Sequence, residues 1–186
     1  MPKLIAFEQV SLDGFFVDGK GDMSWAHRQD AEWNAFTSSN ASGDGALLFG
    51  RLTYEMMASF WPTPAAMETL PAVAKGMNQM PKLVCSRTLQ KASWNNTTLL
   101  KRDLAAEVRK RKQEPGPDMA ILGSGSIVSQ LAQAGLIDEF QIVVNPIVLG
   151  QGRTLFEGVK EKIALKLVKS QAFGNGNVVL YYVPTA

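Results

Sequence analysis

Short apolar runs that stop at glycine or a hydroxyl residue, each followed by a stretch of helical periodicity, set the narrowest limit on how this chain can fold. Ala46–Phe49 stops at Gly50 and gives way to a helical pattern over Leu52–Phe60. Met119–Leu122 runs into Gly123-Ser124-Gly125-Ser126, after which a helix from Ile127 to Ala134 is closed by Gly135, a good residue for a helix C-terminus. Lys82–Ser86 is a third strand, which runs into Arg87 and Thr88 rather than into a helical pattern. Strands that are apolar throughout have no face to give to water. They belong in a parallel sheet covered by helices on both sides.

The remaining segments fit that plan. Lys3–Ser11 reads as a strand ending at Asp13-Gly14, followed by a long loop with turn residues Gly19, Gly21 and Asp22. Helices are expected over about Asp30–Ser39 and Met67–Met77, with Pro62 and Pro64 breaking the one before Met67. Thr97–Leu100 is a weaker strand, and Asp103 caps a helix through Lys112 that Pro115-Gly116-Pro117 stops. Glu139–Val144 is another strand. Ala164–Phe173 and Val178–Val183, joined by Gly174-Asn175-Gly176-Asn177, form a C-terminal antiparallel hairpin. The expected architecture is one domain over residues 1–186, with a mixed, mostly parallel sheet that binds ligands beyond the carboxyl ends of its parallel strands.

Composition removes several classes of function. A net charge of +2 gives no reason to expect nucleic acid or a membrane as partner. The basic residues from Lys101 to Lys112 have the spacing of a solvated helix face. With one cysteine, Cys85, and one histidine, His27, no internal disulfide or zinc site can be built. No apolar run approaches the roughly 20 residues that span a bilayer. The start of the chain lacks a signal-peptide pattern, so a cytoplasmic location is expected. Any hard chemistry should then be carried by a bound cofactor.

Three strand ends carry groups suited to phosphate. Gly50-Arg51-Leu52-Thr53 places a guanidinium and a hydroxyl in the first turn of a helix, where backbone N–H groups attract anions. Ser86-Arg87-Thr88 offers two hydroxyls and an arginine. Gly123-Ser124-Gly125 lets the chain approach a pyrophosphate, although Val128 stands where the dinucleotide fingerprint needs a third glycine or alanine. Taken singly, each is also an ordinary turn or a surface arginine. Together they suggest a dinucleotide laid across the strand ends, with an arginine favouring a 2′-phosphate.

In that order these motifs resemble the dihydrofolate reductase fold, and more specifically the reductase domain of riboflavin biosynthesis. Ser11-Leu12-Asp13-Gly14, Asp138-Glu139-Phe140, Asn145-Pro146-Ile147-Val148-Leu149-Gly150, Leu155-Phe156 and the terminal hairpin add to the likeness, which covers nearly the whole chain. The resemblance implies a three-layer α-β-α sandwich that binds NADPH. It implies Gly50, Arg51 and Thr53 at one phosphate, and Ser86 and Arg87 at the adenosine 2′-phosphate. Gly123, Ser124, Gly125, Ser126 and Ile127 would lie at the pyrophosphate. Asp13 and Trp25 would border nicotinamide and substrate. Similar domains commonly form homodimers.

The implied activity is NADPH-dependent reduction of a small heterocycle, first of all 5-amino-6-(5-phosphoribosylamino)uracil, with dihydrofolate as runner-up. Asp13 or ordered water would supply the proton. The deaminase signature of the bifunctional riboflavin enzymes is absent, and no second basic cluster awaits a substrate phosphate. Glu32 and Phe36 have the spacing of the dihydrofolate reductase acid and phenylalanine, but at an ill-fitting distance from Gly50, and Glu32 reads as a solvated helix residue. Two other classes stay open: an NADPH-binding module without turnover, and a nucleotide-phosphate binder unrelated to nicotinamide.

Overall fold

The computed structural model describes residues 1–28 and 30–185; Gln29 and Ala186 lie outside them. In chain order the strands are β1 (Leu4–Ser11), β2 (Phe15–Asp18), β3 (Ala46–Gly50), β4 (Lys82–Cys85), β5 (Thr97–Leu100), β6 (Met119–Leu122), β7 (Glu139–Asn145), β8 (Gly152–Thr154), β9 (Leu165–Ala172) and β10 (Val178–Pro184). The helices are α1 (Ala31–Ala41), α2 (Arg51–Phe60), α3 (Pro64–Thr69), α4 (Pro71–Gln79), α5 (Leu104–Gln113) and α6 (Gly125–Gln133).

Eight strands make one sheet in the order β5-β4-β3-β6-β1-β7-β10-β9, with β2 and β8 paired separately. Pairing from β5 across to β7 is parallel, and β10 joins β7 and β9 antiparallel. The mixed sheet and terminal hairpin thus appear as the apolar runs and the Gly-Asn-Gly-Asn junction require. The small β2–β8 sheet was not expected, because Gly152–Thr154 carries no strand pattern of its own.

Strand alternation explains which residues fill each layer. On β1, Leu4, Ala6 and Val10 enter the core beneath α5 and α6, where they join Ile121, Val128, Leu131 and Phe140. Ile5 and Phe7 face the other side. There Phe49, Val84, Tyr54, Met77 and Trp94 form a second cluster under α2 and α4. A third gathers Trp33, Phe173, Val143 and Val179, with Phe36 packed against it. Trp33 and Phe173 meet edge to face at 5.1 Å, the geometry the ring quadrupoles favour. The tryptophans at 33 and 94 are therefore packing residues.

The expected Met67–Met77 helix is two helices. Leu70 precedes a proline, which drives it out of the helical region (φ −137°, ψ 63°), and Pro71 then opens α4. Pro64 likewise opens α3, with the Thr63 hydroxyl accepting from the Ala66 amide. Lys82 is buried outright at the start of β4; its ammonium donates to the Met80 and Asn78 carbonyls and lies over the Trp94 ring.

One close approach fixes α4 against the end of α1. A Cβ on Gly76 would stand 1.9 Å from the Ala41 carbonyl oxygen, so only glycine lets the two backbones meet. Gly76→Ala should therefore cost about 1–3 kcal/mol, as overpacking commonly does. In urea unfolding the midpoint would fall while the slope stays constant. An unchanged midpoint would show that α1 and α4 do not approach this closely.

Candidate active site

The three phosphate-suited turns become immediate neighbours. Register pairs Gly50 with Cys85 and Leu48 with Ile121, so β4, β3 and β6 end at one level and release their turns along one edge. α2 and α6 start at this edge on Gly50 and Ser124, and neither has a side-chain cap. Uncapped first-turn N–H groups and the positive end of the helix dipole make both starts attractive to anions.

Side-chain hydroxyls at this edge hold the turns to each other. The Gly50 amide donates to Ser124 Oγ at 2.9 Å, and that hydroxyl donates to the Leu122 carbonyl at 3.1 Å. Thr53 Oγ1 donates to the Gly123 carbonyl at 2.9 Å. Gly123 needs its glycine conformation, with φ +59°. At Gly125, a Cβ would come within 2.6 Å of the Phe16 ring. The two glycines thus shape a turn that threads between Thr53 and Phe16.

Several groups of the expected phosphate set already hold partners within the fold. The hydroxyls of Thr53 and Ser124 and the amide of Gly50 are already engaged in the bracket. The Ile127 side chain is core, and its amide donates to the Ser124 carbonyl at 2.8 Å. Ser86 Oγ accepts from the amides of Thr88 and Leu89, shaping its own turn. What remains free to meet a ligand is narrower. It comprises the amides of Gly125 and Ser126, the exposed Ser126 side chain, the start of α2, and the arginines. Arg51 is half exposed and pairs with Glu55 at 3.0 Å, a weak surface contact. Arg87 is exposed and makes no ion pair among the described residues.

Asp13 has a structural job as well as the place expected of it beside nicotinamide and substrate. Its carboxylate accepts from Ser11 Oγ at 2.7 Å and from the amides of Leu149 and Gly150 at 3.1 and 2.7 Å. The serine hydroxyl first, then these amides, hold it down at about 2, so at neutral pH it carries no proton to give. It ties the exit of β1 to the loop after β7. Trp25 sits in a 3-10 turn, Ser24–Ala26, with its indole N–H donated to the Asp22 carbonyl at 3.0 Å. Asp30 caps α1 through the Trp33 amide, and Glu32 accepts from the Gly174 amide at 3.2 Å. Glu32 is exposed but tethers α1 to the terminal hairpin.

Sequence reading passed over Glu8. It is 2 % exposed on the core face of β1, and its Oε1 has no partner among the described residues. Burial pushes the carboxyl up to about 8, against hydrogen bonding from the backbone of Ser124 and Gly123 that favours the charged form. The signal was present in β1: the even positions Leu4, Ala6 and Val10 are apolar, so Glu8 stands in the buried phase. Asn145 and Asn177 are also fully buried with unpaired side-chain atoms, Asn145 at the end of β7 and Asn177 just before β10.

A cavity of about 350 Å³ lies on the opposite face of the sheet, lined among others by Phe7, Thr37, Met57, Trp61, Leu122 and Gln141. Leu122, at the carboxyl end of β6, directly precedes the Gly123 turn. The lining holds no lysine or arginine, and Asp118 is its one charged residue.

Comparison with known proteins bears on the fold and the family. A protein of Bacillus subtilis, YyaP, itself uncharacterised, is 30% identical over 174 residues, spanning 93% of this chain and 90% of its own length. The structure of a protein ascribed to riboflavin biosynthesis in Shewanella sp. PV-4 matches with TM-score 0.74, 23% identity and 99% of both chains covered. Dihydrofolate reductase from Enterococcus faecalis, solved with NADP(H), matches with TM-score 0.65 at 12% identity, over 99% of this chain and 97% of its own. A Thermotoga maritima deaminase and 5-amino-6-(5-phosphoribosylamino)uracil reductase matches at TM-score 0.69 and 14% identity; 99% of this chain covers 57% of that one. The fold is dihydrofolate reductase-like. The family model for the RibD C-terminal domain matches residues 2–179, and the chain belongs to that family.

Proposed function

We propose that the protein is an NADPH-dependent reductase of a small heterocyclic substrate. The observation that carries this reading is the shared edge of β4, β3 and β6, where two uncapped helix starts and Arg87, which makes no ion pair among the described residues, lie along one line. A dinucleotide needs such a line: anion sites for its phosphates and a cation for its 2′-phosphate. Membership of the RibD C-terminal domain family, and likeness to a dihydrofolate reductase solved with NADP(H), support it. When bound, the cofactor supplies hydride.

The chain's own residues divide the remaining work. The amides of Gly125 and Ser126, with the start of α2, hold phosphate, and Arg87 selects the 2′-phosphate. Phe7, Leu122 and Met57 face the acceptor ring and exclude water from it. Because Asp13 is ionised, the proton falls to water, the other source that the sequence left open.

The first named activity to test is reduction of 5-amino-6-(5-phosphoribosylamino)uracil. The cavity contains no cation for a substrate phosphate, which would have to lie outside it. That observation keeps reduction of a dihydrofolate-like ring as the second reading.

Fluorescence titration with NADPH and NADH tests the cofactor. NADPH should bind more tightly, and Arg87→Ala should weaken it about ten- to a hundredfold while leaving NADH unchanged, as expected for loss of one charge-assisted contact. No saturable binding of either nucleotide would leave only the fold. Asp13→Asn tests the reassignment of Asp13. Its lowered pKa stabilises the fold above the ordinary carboxylate range, and that contribution is lost as pH falls through about 2. The variant should therefore lose stability at neutral pH and show a flatter acid unfolding curve, yet retain turnover of any acceptor found. Abolished turnover in a folded variant would restore Asp13 to the chemistry.

A further inference from the structure

A carboxyl group buried without a counter-charge is costly, and it survives in a fold where something uses it. Glu8 is in that position. In the parallel sheet it stands opposite Ile142 of β7, and on its other side β6 has just ended at Leu122. Its head therefore lies against the Gly123-Ser124 turn, directly before the uncapped start of α6. One carboxyl oxygen has no partner among the described residues, while the turn's backbone favours the charged form of the group.

The charged groups on the surrounding elements are few. α6 and β6 carry none. Asp18 of β2 and Glu139 of β7 are partly exposed, and Arg153 of β8 lies over the outer Phe16 ring. None of these contributes to the titration of Glu8, which is governed by burial and the two turn amides. Glu8 and any phosphate at α6 thus approach the same positive helix end, one from inside the core and one from solvent.

We propose that Glu8 positions the 123–126 turn and must be neutral for an anionic ligand to bind at the start of α6, so that dinucleotide binding is coupled to a proton held on Glu8. This rests on the cofactor reading above. A neutral carboxyl still accepts from the turn amides and leaves the helix dipole to the phosphate. An ionised one cancels that dipole and repels the phosphate. The bound anion in turn makes ionisation of Glu8 harder, as linkage demands.

The direction with pH follows. Below the free-state value of about 8, Glu8 is neutral with or without ligand, and its contribution to affinity is constant. Above that value binding must first return a proton, so affinity falls. Calorimetric titration of the full chain with NADPH from about pH 7 to about pH 9.5 should show Kd rising by up to about tenfold per pH unit in the upper part of the range. The nucleotide's phosphates do not change charge there. Lys82, lowered by burial to about 8, also titrates in this range, but it lies at the opposite end of the strands and is shared by the control.

That control is Glu8→Gln, which keeps the shape and an acceptor for the turn amides and should bind NADPH without the alkaline loss. Should Glu8→Gln fail to fold, the wild-type protein still gives an answer. Titration near pH 8.5 in two buffers of different ionisation heat should reveal uptake of about half a proton or more per NADPH. Saturable binding with no proton uptake, or an alkaline loss that persists in Glu8→Gln, overturns the role of Glu8 and leaves the cofactor site standing. Absence of binding at pH 7 instead overturns the cofactor reading itself, and this proposal with it.

Discussion

Two hydrogen bonds between adjacent crossover turns, Gly50 to Ser124 and Thr53 to Gly123, hold the functional edge in one piece. β3 and β6 are neighbours by backbone pairing, but that pairing ends below the turns. Without the hydroxyl bridges, the starts of α2 and α6 would be set only by how each helix packs on its own face. With them, the two positive helix ends keep a fixed separation, with Gly125 buried and Ser126 exposed in the first turn of α6. Net contributions of such bonds to stability are about 1 kcal/mol each. Their larger effect is on position: they make one rigid rim from two separate connections.

The rim also divides polar groups by depth. The hydroxyls of Thr53 and Ser124 and the Gly50 amide are spent on the bracket, the backbone of Gly123 and Ser124 hydrogen-bonds toward Glu8, and the next two amides make no hydrogen bond among the described residues. A phosphate ligand would therefore meet backbone and arginine more than serine or threonine. Asp13 acts in the same manner at the neighbouring strand end, where one carboxylate closes the loop after β7 onto the exit of β1.

Much of this was legible beforehand because the signals were local. Gly50, Gly123 and the Gly-Asn-Gly-Asn hairpin are turn chemistry, and the apolar runs dictate the sheet. The neighbour order β4-β3-β6 is not local, and neither is the fate of a hydroxyl whose partner lies 70 or more residues away, as for Thr53 and Ser124. For that reason the sequence offered Thr53 and Ser124 as ligand groups without showing that their hydroxyls also brace the two turns. Asp13 read as an acid because a sequence does not show which amides will surround a carboxylate. Glu8 is the opposite case: strict alternation along β1 placed it inside, and only the habit of treating glutamate as a surface residue hid it.

The position of β1 has a consequence for how the chain is made. Lys3 and Leu4 find their partners 115 and 134 residues further on, at Asp118 and Asp138. β1 thus waits on β6 and β7, both still absent while β3, β4 and β5 can already pair. At ordinary elongation speeds that delay is on the order of ten seconds. During it Leu4, Ile5, Ala6 and Phe7 have no place in a sheet. The buried Glu8 and the neighbouring Gln9 interrupt that apolar run in the nascent chain, where a polar break discourages premature association between chains.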